Sequence, residues 1–301
     1  MTMPSLQDRL AGAVWGHLVG DAMGVPYEFS RPGSIAEVEW GHAGTHHQPV
    51  GTWSDDGALM LALLDSLLTS GFDVDDQGRR AVSWMRDGAY TPGGLFDMGV
   101  ATRGALVRID GGAAAATAGG SDENSNGNGS LMRILPIALV GRDQDDAILV
   151  TQAAAASAVT HAHPRSRLTC ALYTLLARNL LHGEVDRPAA LDAAQASLRA
   201  LLPDEWKGDF EILMGYQQRT GAGYVVDCFW SAWDAFSGAS SYAATIERAI
   251  RYGKDTDTTA CVAGGLAGIY WGVDAVPAEW RGAMRGSDIV SLLLEKLLAT
   301  V

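Results

Sequence analysis

Glycine falls at every fourth position in two stretches of this chain, at Gly12, Gly16, Gly20 and Gly24 and again at Gly264, Gly268 and Gly272. Inside a helix glycine costs roughly 1 kcal/mol relative to alanine, so a stripe of it along one helical face needs a compensating gain. The usual gain is close approach of two backbones. Membrane helices use the same device. Here the apolar runs are short and Asp21 and Asp255 flank the stripes, so the pattern predicts tight backbone packing inside a soluble bundle.

Helical spacing recurs along the rest of the chain, and period-2 alternation bounded by turns is hard to find. Met60, Leu63, Leu64, Leu67 and Leu68 define one face of a helix, with Ser54 as its N-cap and Gly71 as its stop. Similar patterns predict helices at 6–23, 77–88, 98–109, 145–161, 165–182, 187–202, 207–219, 223–237, 242–252, 257–271 and 287–299. Gly183, Gly253 and Gly272 stand where helix stops belong. Gly111 to Gly129, rich in Gly, Asn and Ser, predicts a long loop ahead of an apolar run from Leu131 to Val140. No other stretch resembles a linker. The expectation is a single all-α domain over residues 1–301.

Hydrophobic residues make up 48% of the chain and charged residues 19%, enough for a sizeable core. A net charge of −13 argues against nucleic-acid binding, which depends on Lys and Arg neutralising phosphates. A small anion remains admissible where metal ions reverse the local sign. Met1 to Leu10 does not read as a signal peptide, and no segment approaches the roughly 20 apolar residues of a bilayer span. Cys170, Cys228 and Cys261 are widely spaced in apolar surroundings and read as reduced core thiols. A cytoplasmic monomer without membrane or nucleic-acid partners is expected.

Two acidic motifs, Ser54-Asp55-Asp56 and Asp255-Thr256-Asp257-Thr258, each stand just ahead of a very apolar helix. Carboxylates alternating with hydroxyls supply the oxygen ligands that hard cations such as Mg2+ require. Either motif alone reads equally well as an N-cap with extra acids favouring the helix dipole. The helices that follow are too apolar for the surface, so both starts point inward, where several carboxylates would repel strongly without cations.

The surrounding segments resemble the ADP-ribosylglycohydrolase family, which includes the dinitrogenase reductase-activating glycohydrolases of bacteria. The matching stretches begin with Gly12-Ala13-Val14-Trp15-Gly16 and Gly20-Asp21-Ala22-Met23-Gly24-Val25-Pro26-Tyr27-Glu28-Phe29. They continue through Gly51-Thr52-Trp53-Ser54-Asp55-Asp56, Phe96-Asp97-Met98-Gly99 and Gly127-Asn128-Gly129-Ser130-Leu131-Met132-Arg133. Thr160-His161, Gly223-Tyr224-Val225-Val226-Asp227 and Gly253-Lys254-Asp255-Thr256-Asp257-Thr258 complete the series. Any one of them is weak, and the ordered series is specific.

The resemblance implies a compact orthogonal bundle of helices with two Mg2+ or Mn2+ ions held by Ser54, Asp55, Asp56, Asp255, Asp257 and Thr258. The chain departs from the family in having Ser54 where threonine is usual and Gly57 where a second threonine is common. Ser54 keeps the hydroxyl. Glu28 would lie in the cleft and orient or deprotonate a water. Asp97 sits in the Phe-Asp-Met-Gly context of the arginine-directed branch and would handle the scissile bond. Gly127, Asn128, Gly129 and Ser130 would cradle the phosphates, Met132 would bind substrate beside them, His161 would contact the ligand and Tyr224 would stack on adenine. The implied activity is removal of ADP-ribose from a modified protein, with ADP-ribosyl-arginine as the first expectation. Serine-linked ADP-ribose, an ADP-ribosylated nucleobase or metabolite, and a non-catalytic binding or structural role are the alternatives.

Overall fold

The computed structural model describes residues 3–42 and 44–301. Among these the chain forms α1 (Leu6–Gly24), α2 (Asp55–Ser70), α3 (Val74–Asp87), α4 (Val100–Asp110), α5 (Leu135–Val140), α6 (Asp146–Ala158) and α7 (Pro164–Leu181). It continues with α8 (Arg187–Ala200), α9 (Lys207–Gly215), α10 (Val225–Ser237), α11 (Tyr242–Ile250), α12 (Thr256–Trp271), α13 (Ala278–Gly282) and α14 (Ser287–Leu298). The expectation of an all-α fold holds: among the described residues the β features are two isolated bridges, Gly120 with His161 and Gly127 with Tyr224. No described helix is long and apolar enough to cross a membrane.

The glycine stripes are a seam between α1 and α12. A Cβ on Gly12 would overlap the Gly268 carbonyl, one on Gly16 that of Gly264, and one on Gly20 that of Ala260, so the helices run antiparallel. At the far end Gly24 lies on the backbone of Asp257, and the Thr256 hydroxyl donates to the Gly24 carbonyl at 2.8 Å. Two tyrosines clamp the pair, Tyr242 donating to the Gly16 carbonyl at 2.7 Å and Tyr173 to that of Val262 at 3.0 Å. Both helices are buried over most of their length, and the other helices pack around them.

Helix boundaries depart from the apolar periodicity where side chains intervene. Helix α3 begins at Val74 because the Asp73 carboxylate accepts from the Asp75 and Asp76 amides at 2.9 and 3.1 Å. Helix α9 stops at Gly215, short of the predicted 219. The segment after it wraps around buried Asp227, whose carboxylate accepts from the Tyr216 hydroxyl at 3.0 Å and from the Thr220 and Ala222 amides at 3.1 and 3.0 Å. The apolar run after the long loop contains α5, which Pro136 helps to start. The long loop is tied to the end of α6 by Gly119 N–H to Ala158 and Ala162 N–H to Gly120, at 3.1 and 2.7 Å.

Candidate metal-binding cleft

The C-terminal end of α1 and the N-terminal ends of α2 and α12 meet at one end of the seam. Asp21, on the last turns of α1, points its carboxylate at the start of α2 and accepts the amides of Ser54 at 3.0 Å and Gly57 at 2.7 Å. It therefore satisfies N–H groups that a helix start leaves open. The Ser54 hydroxyl accepts the Asp56 amide at 3.2 Å. Gly57 fits because a Cβ there would press on the side chains of Leu18 and Trp53.

A second cross-link joins the loop after α1 to the loop before α12. Phe29 N–H donates to the Lys254 carbonyl at 2.6 Å and Lys254 N–H to the Ser30 carbonyl at 2.9 Å. Phe29 and Lys254 both adopt left-handed backbone, with φ of 63° and 62°, and Asp97 does so at 46°. Such conformations cost on the order of 1–3 kcal/mol each and persist where surroundings enforce them. All three flank or carry acids of the cleft.

The carboxylate oxygens of Asp21, Asp56 and Asp257 lie within 4.8 Å of one another, and so do those of Glu28, Asp255 and Asp257. A third group joins Glu28 and Asp97 to His46, whose Nε2 contacts the Glu28 carboxylate. Thr258 donates to Asp56 at 3.4 Å, and Asn128 Nδ2 donates to Asp255 at 3.0 Å.

Burial above all, and then mutual repulsion, pushes the acids of Asp55, Asp56 and Asp257 well above the usual carboxylate range. Burial raises Asp21 to about 7 against the opposing pull of its amide donors. Burial and the charges of Asp97, Asp255 and Asp21 raise Glu28 to about 9. Burial also lifts Asp97, with His46 pulling the other way. A cluster of this kind ionises together only with compensating positive charge, and its donors are hard oxygens. The residues fit a divalent cation of the Mg2+ or Mn2+ type.

Glu28, Asp55, Asp56, Asp97, Gly127, Asn128, Gly129, Met132, His161, Asp255 and Thr258 all line one open cleft of about 240 Å³. Asp257 reaches it through the acid clusters. The His161 ring occupies the space beside Gly127 and Gly129, where added Cβ atoms would lie 3.3 Å from Nε2 and 2.8 Å from Cε1. Its Nδ1 pairs with the Thr160 hydroxyl at 2.8 Å. Burial, followed by the charge of Arg133, lowers its pKa to about 3, so the ring is neutral. Arg133 in turn holds the glycine turn by donating to the Gly129 carbonyl at 2.6 Å and to that of Ala156 at 3.0 Å.

Two residues predicted as contacts, Ser130 and Tyr224, adjoin the cleft without lining it. The Ser130 hydroxyl is fully buried and accepts from Ser157 at 2.9 Å. Tyr224 is half-buried, edge-on to Tyr216, with its hydroxyl 3.3 Å from Arg165. Asp21 and His46, which the sequence reading left without roles, join the acid groups. An acid within an apolar glycine-striped helix was a usable signal for Asp21. His46 lies in a long loop whose sequence carries no periodicity.

A family model for ADP-ribosylglycohydrolase matches residues 2–301. The chain is 31% identical to the ADP-ribosylarginine hydrolase Tri1 of Pseudomonas putida (strain GB-1), over 99% of this chain and 80% of that protein. It is 29% identical to the ADP-ribosyl-(dinitrogen reductase) glycohydrolase of Rhodospirillum rubrum, over 93% and 91% respectively. A solved structure described as an ADP-ribosylglycohydrolase-related protein complex superimposes with a TM-score of 0.79 at 31% identity, covering 98% of both chains.

Proposed function

Because this chain belongs to the ADP-ribosylglycohydrolase family, we propose that its acidic cleft removes ADP-ribose from modified protein side chains, with ADP-ribosyl-arginine as the substrate. The observation that carries the reading is convergence: both aspartate motifs, Glu28, Asp97 and the Gly127–Gly129 turn, far apart in sequence, face one cleft. The arginine linkage rests on the two bacterial relatives, one of which is an ADP-ribosylarginine hydrolase by name.

In this reading Asp55, Asp56, Asp255, Asp257 and Thr258 hold two Mg2+ or Mn2+ ions, with Asp21 fixing the start of α2 beside them and Ser54 as a further ligand. When bound, the cations supply Lewis acidity and the positive charge that an anionic ADP-ribose needs in a chain of net charge −13. The glycine turn receives the pyrophosphate and neutral His161 offers Nε2 to the ligand. Glu28, raised to about 9 by burial and neighbouring carboxylates, would be ionised where bound cations offset those charges, and it then orients a water toward the anomeric carbon and takes its proton. Asp97, whose carboxyl pKa is raised by burial, passes a proton to the departing guanidine nitrogen as the C–N bond breaks. Water thus divides between free ADP-ribose and an unmodified arginine.

The test is incubation of the protein and Mg2+ with arginine-linked and serine-linked ADP-ribosyl peptides. Release of ADP-ribose from the arginine peptide alone is expected. Release only from the serine peptide would overturn the linkage, and release from neither would overturn the hydrolase reading.

A further inference from the structure

A second cavity, of about 590 Å³, opens where the N-terminal half of α1, the turn between α7 and α8, and the C-terminal end of α12 meet. Its size falls within the range of small-molecule pockets. Arg9 lines it and is only 8% exposed, yet its Nε and Nη1 find no hydrogen-bond partner among the described residues. A buried charged donor left unmet is costly, and such groups call for an explanation. The other arginine of the cavity, Arg187, is anchored through Nη1 and by stacking on aromatic rings. It donates to the Phe236 and Ala239 carbonyls at 2.8 Å and lies 5.2 Å over the Tyr270 ring and 5.5 Å over that of Trp271.

We propose that this cavity is a second binding site, for a small organic monocarboxylate whose anionic head pairs with Arg9 and whose flat apolar body lies along Trp271. A guanidinium N–H donates a charge-assisted hydrogen bond to a carboxylate, and Nη2 is the Arg9 nitrogen not shut off from the cavity. Leu180 and Val185 supply apolar wall, and Trp271 is half-buried. Glu184 sets the charge of the ligand: it is exposed at the same cavity, one oxygen accepting the Asp186 amide at 2.9 Å, so its carboxylate disfavours multiply charged anions. Arg9 stands twelve residues before Asp21 on the same helix, about 18 Å at 1.5 Å per residue, so this site is separate from the acidic cleft.

Isothermal titration of the whole chain in EDTA, with indole-3-acetate and AMP as probes, tests the assignment. Indole-3-acetate is expected to bind one per chain and more tightly than AMP. Arg9→Gln should weaken it about tenfold or more, equivalent to about 1.4 kcal/mol. Ser240→Glu changes an exposed residue at the cavity and leaves Arg9 in place, so it applies the same test without disturbing the buried helix. It should abolish binding while ADP-ribosyl-arginine hydrolysis continues. Absence of saturation by about 10 mM, tighter binding of AMP, or indole-3-acetate binding retained in the Ser240→Glu protein would each overturn the proposal.

Discussion

Asp21 serves two elements at once, capping the start of α2 while its carboxylate lies against Asp56 and Asp257. Replacing it with alanine leaves buried amides of Ser54 and Gly57 unmet, so Asp21→Ala should lower stability by about 1–3 kcal/mol as measured by urea unfolding. Asp257 stands in both triads of carboxylates, so its loss strikes the centre of the proposed cation site. Asp257→Asn should reduce ADP-ribosyl-arginine hydrolysis by about 100-fold or more, in line with the loss of a focused electrostatic contribution. Activity unchanged in that protein would dismiss cation dependence. At this scale the sequence was informative for residues carried in short acidic or glycine-marked motifs. It was silent on His46, because contact with Glu28 depends on how a loop without periodicity folds back over the cleft.

Among the elements, helices with a buried face were legible from their apolar spacing, and α2, α7 and α12 begin and end within a residue or two of the prediction. The departures came from distant side chains that replace helical hydrogen bonds, as Asp227 does beyond α9. The glycine stripe was legible as a packing device, though which helix met which was not, since partners so far apart in sequence leave no local signal. The seam makes a prediction of unusual sign. On an exposed helix Gly→Ala stabilises by up to about 1 kcal/mol. Here a Cβ on Gly268 would overlap Gly12, so Gly268→Ala should destabilise by about 1–3 kcal/mol despite its better helix propensity. Thermal unfolding checks it, and a raised midpoint would show that the helices can separate freely.

For the molecule as a whole, buried acids without cations make folding proton-dependent. Folded Asp21 and Glu28 titrate near 7 and 9, above their ordinary range. Between the unfolded and folded pKa values the folded state therefore binds more protons than the unfolded one, and stability falls as pH rises. Protein held in EDTA should lose thermal midpoint steadily from about pH 5 to pH 9, and Mg2+ should flatten that slope by taking the place of the protons. A midpoint that climbs with pH in EDTA would contradict the burial of these groups. The seam also bears on biosynthesis. Helix α1 is made before α12, so its glycine face has no partner until residues 256–271 have been made. A nascent chain lacking α12 must carry this apolar, side-chain-poor face of α1 uncovered by its partner. The acidic cleft, built in part from the start of α12, closes only once that helix is in place.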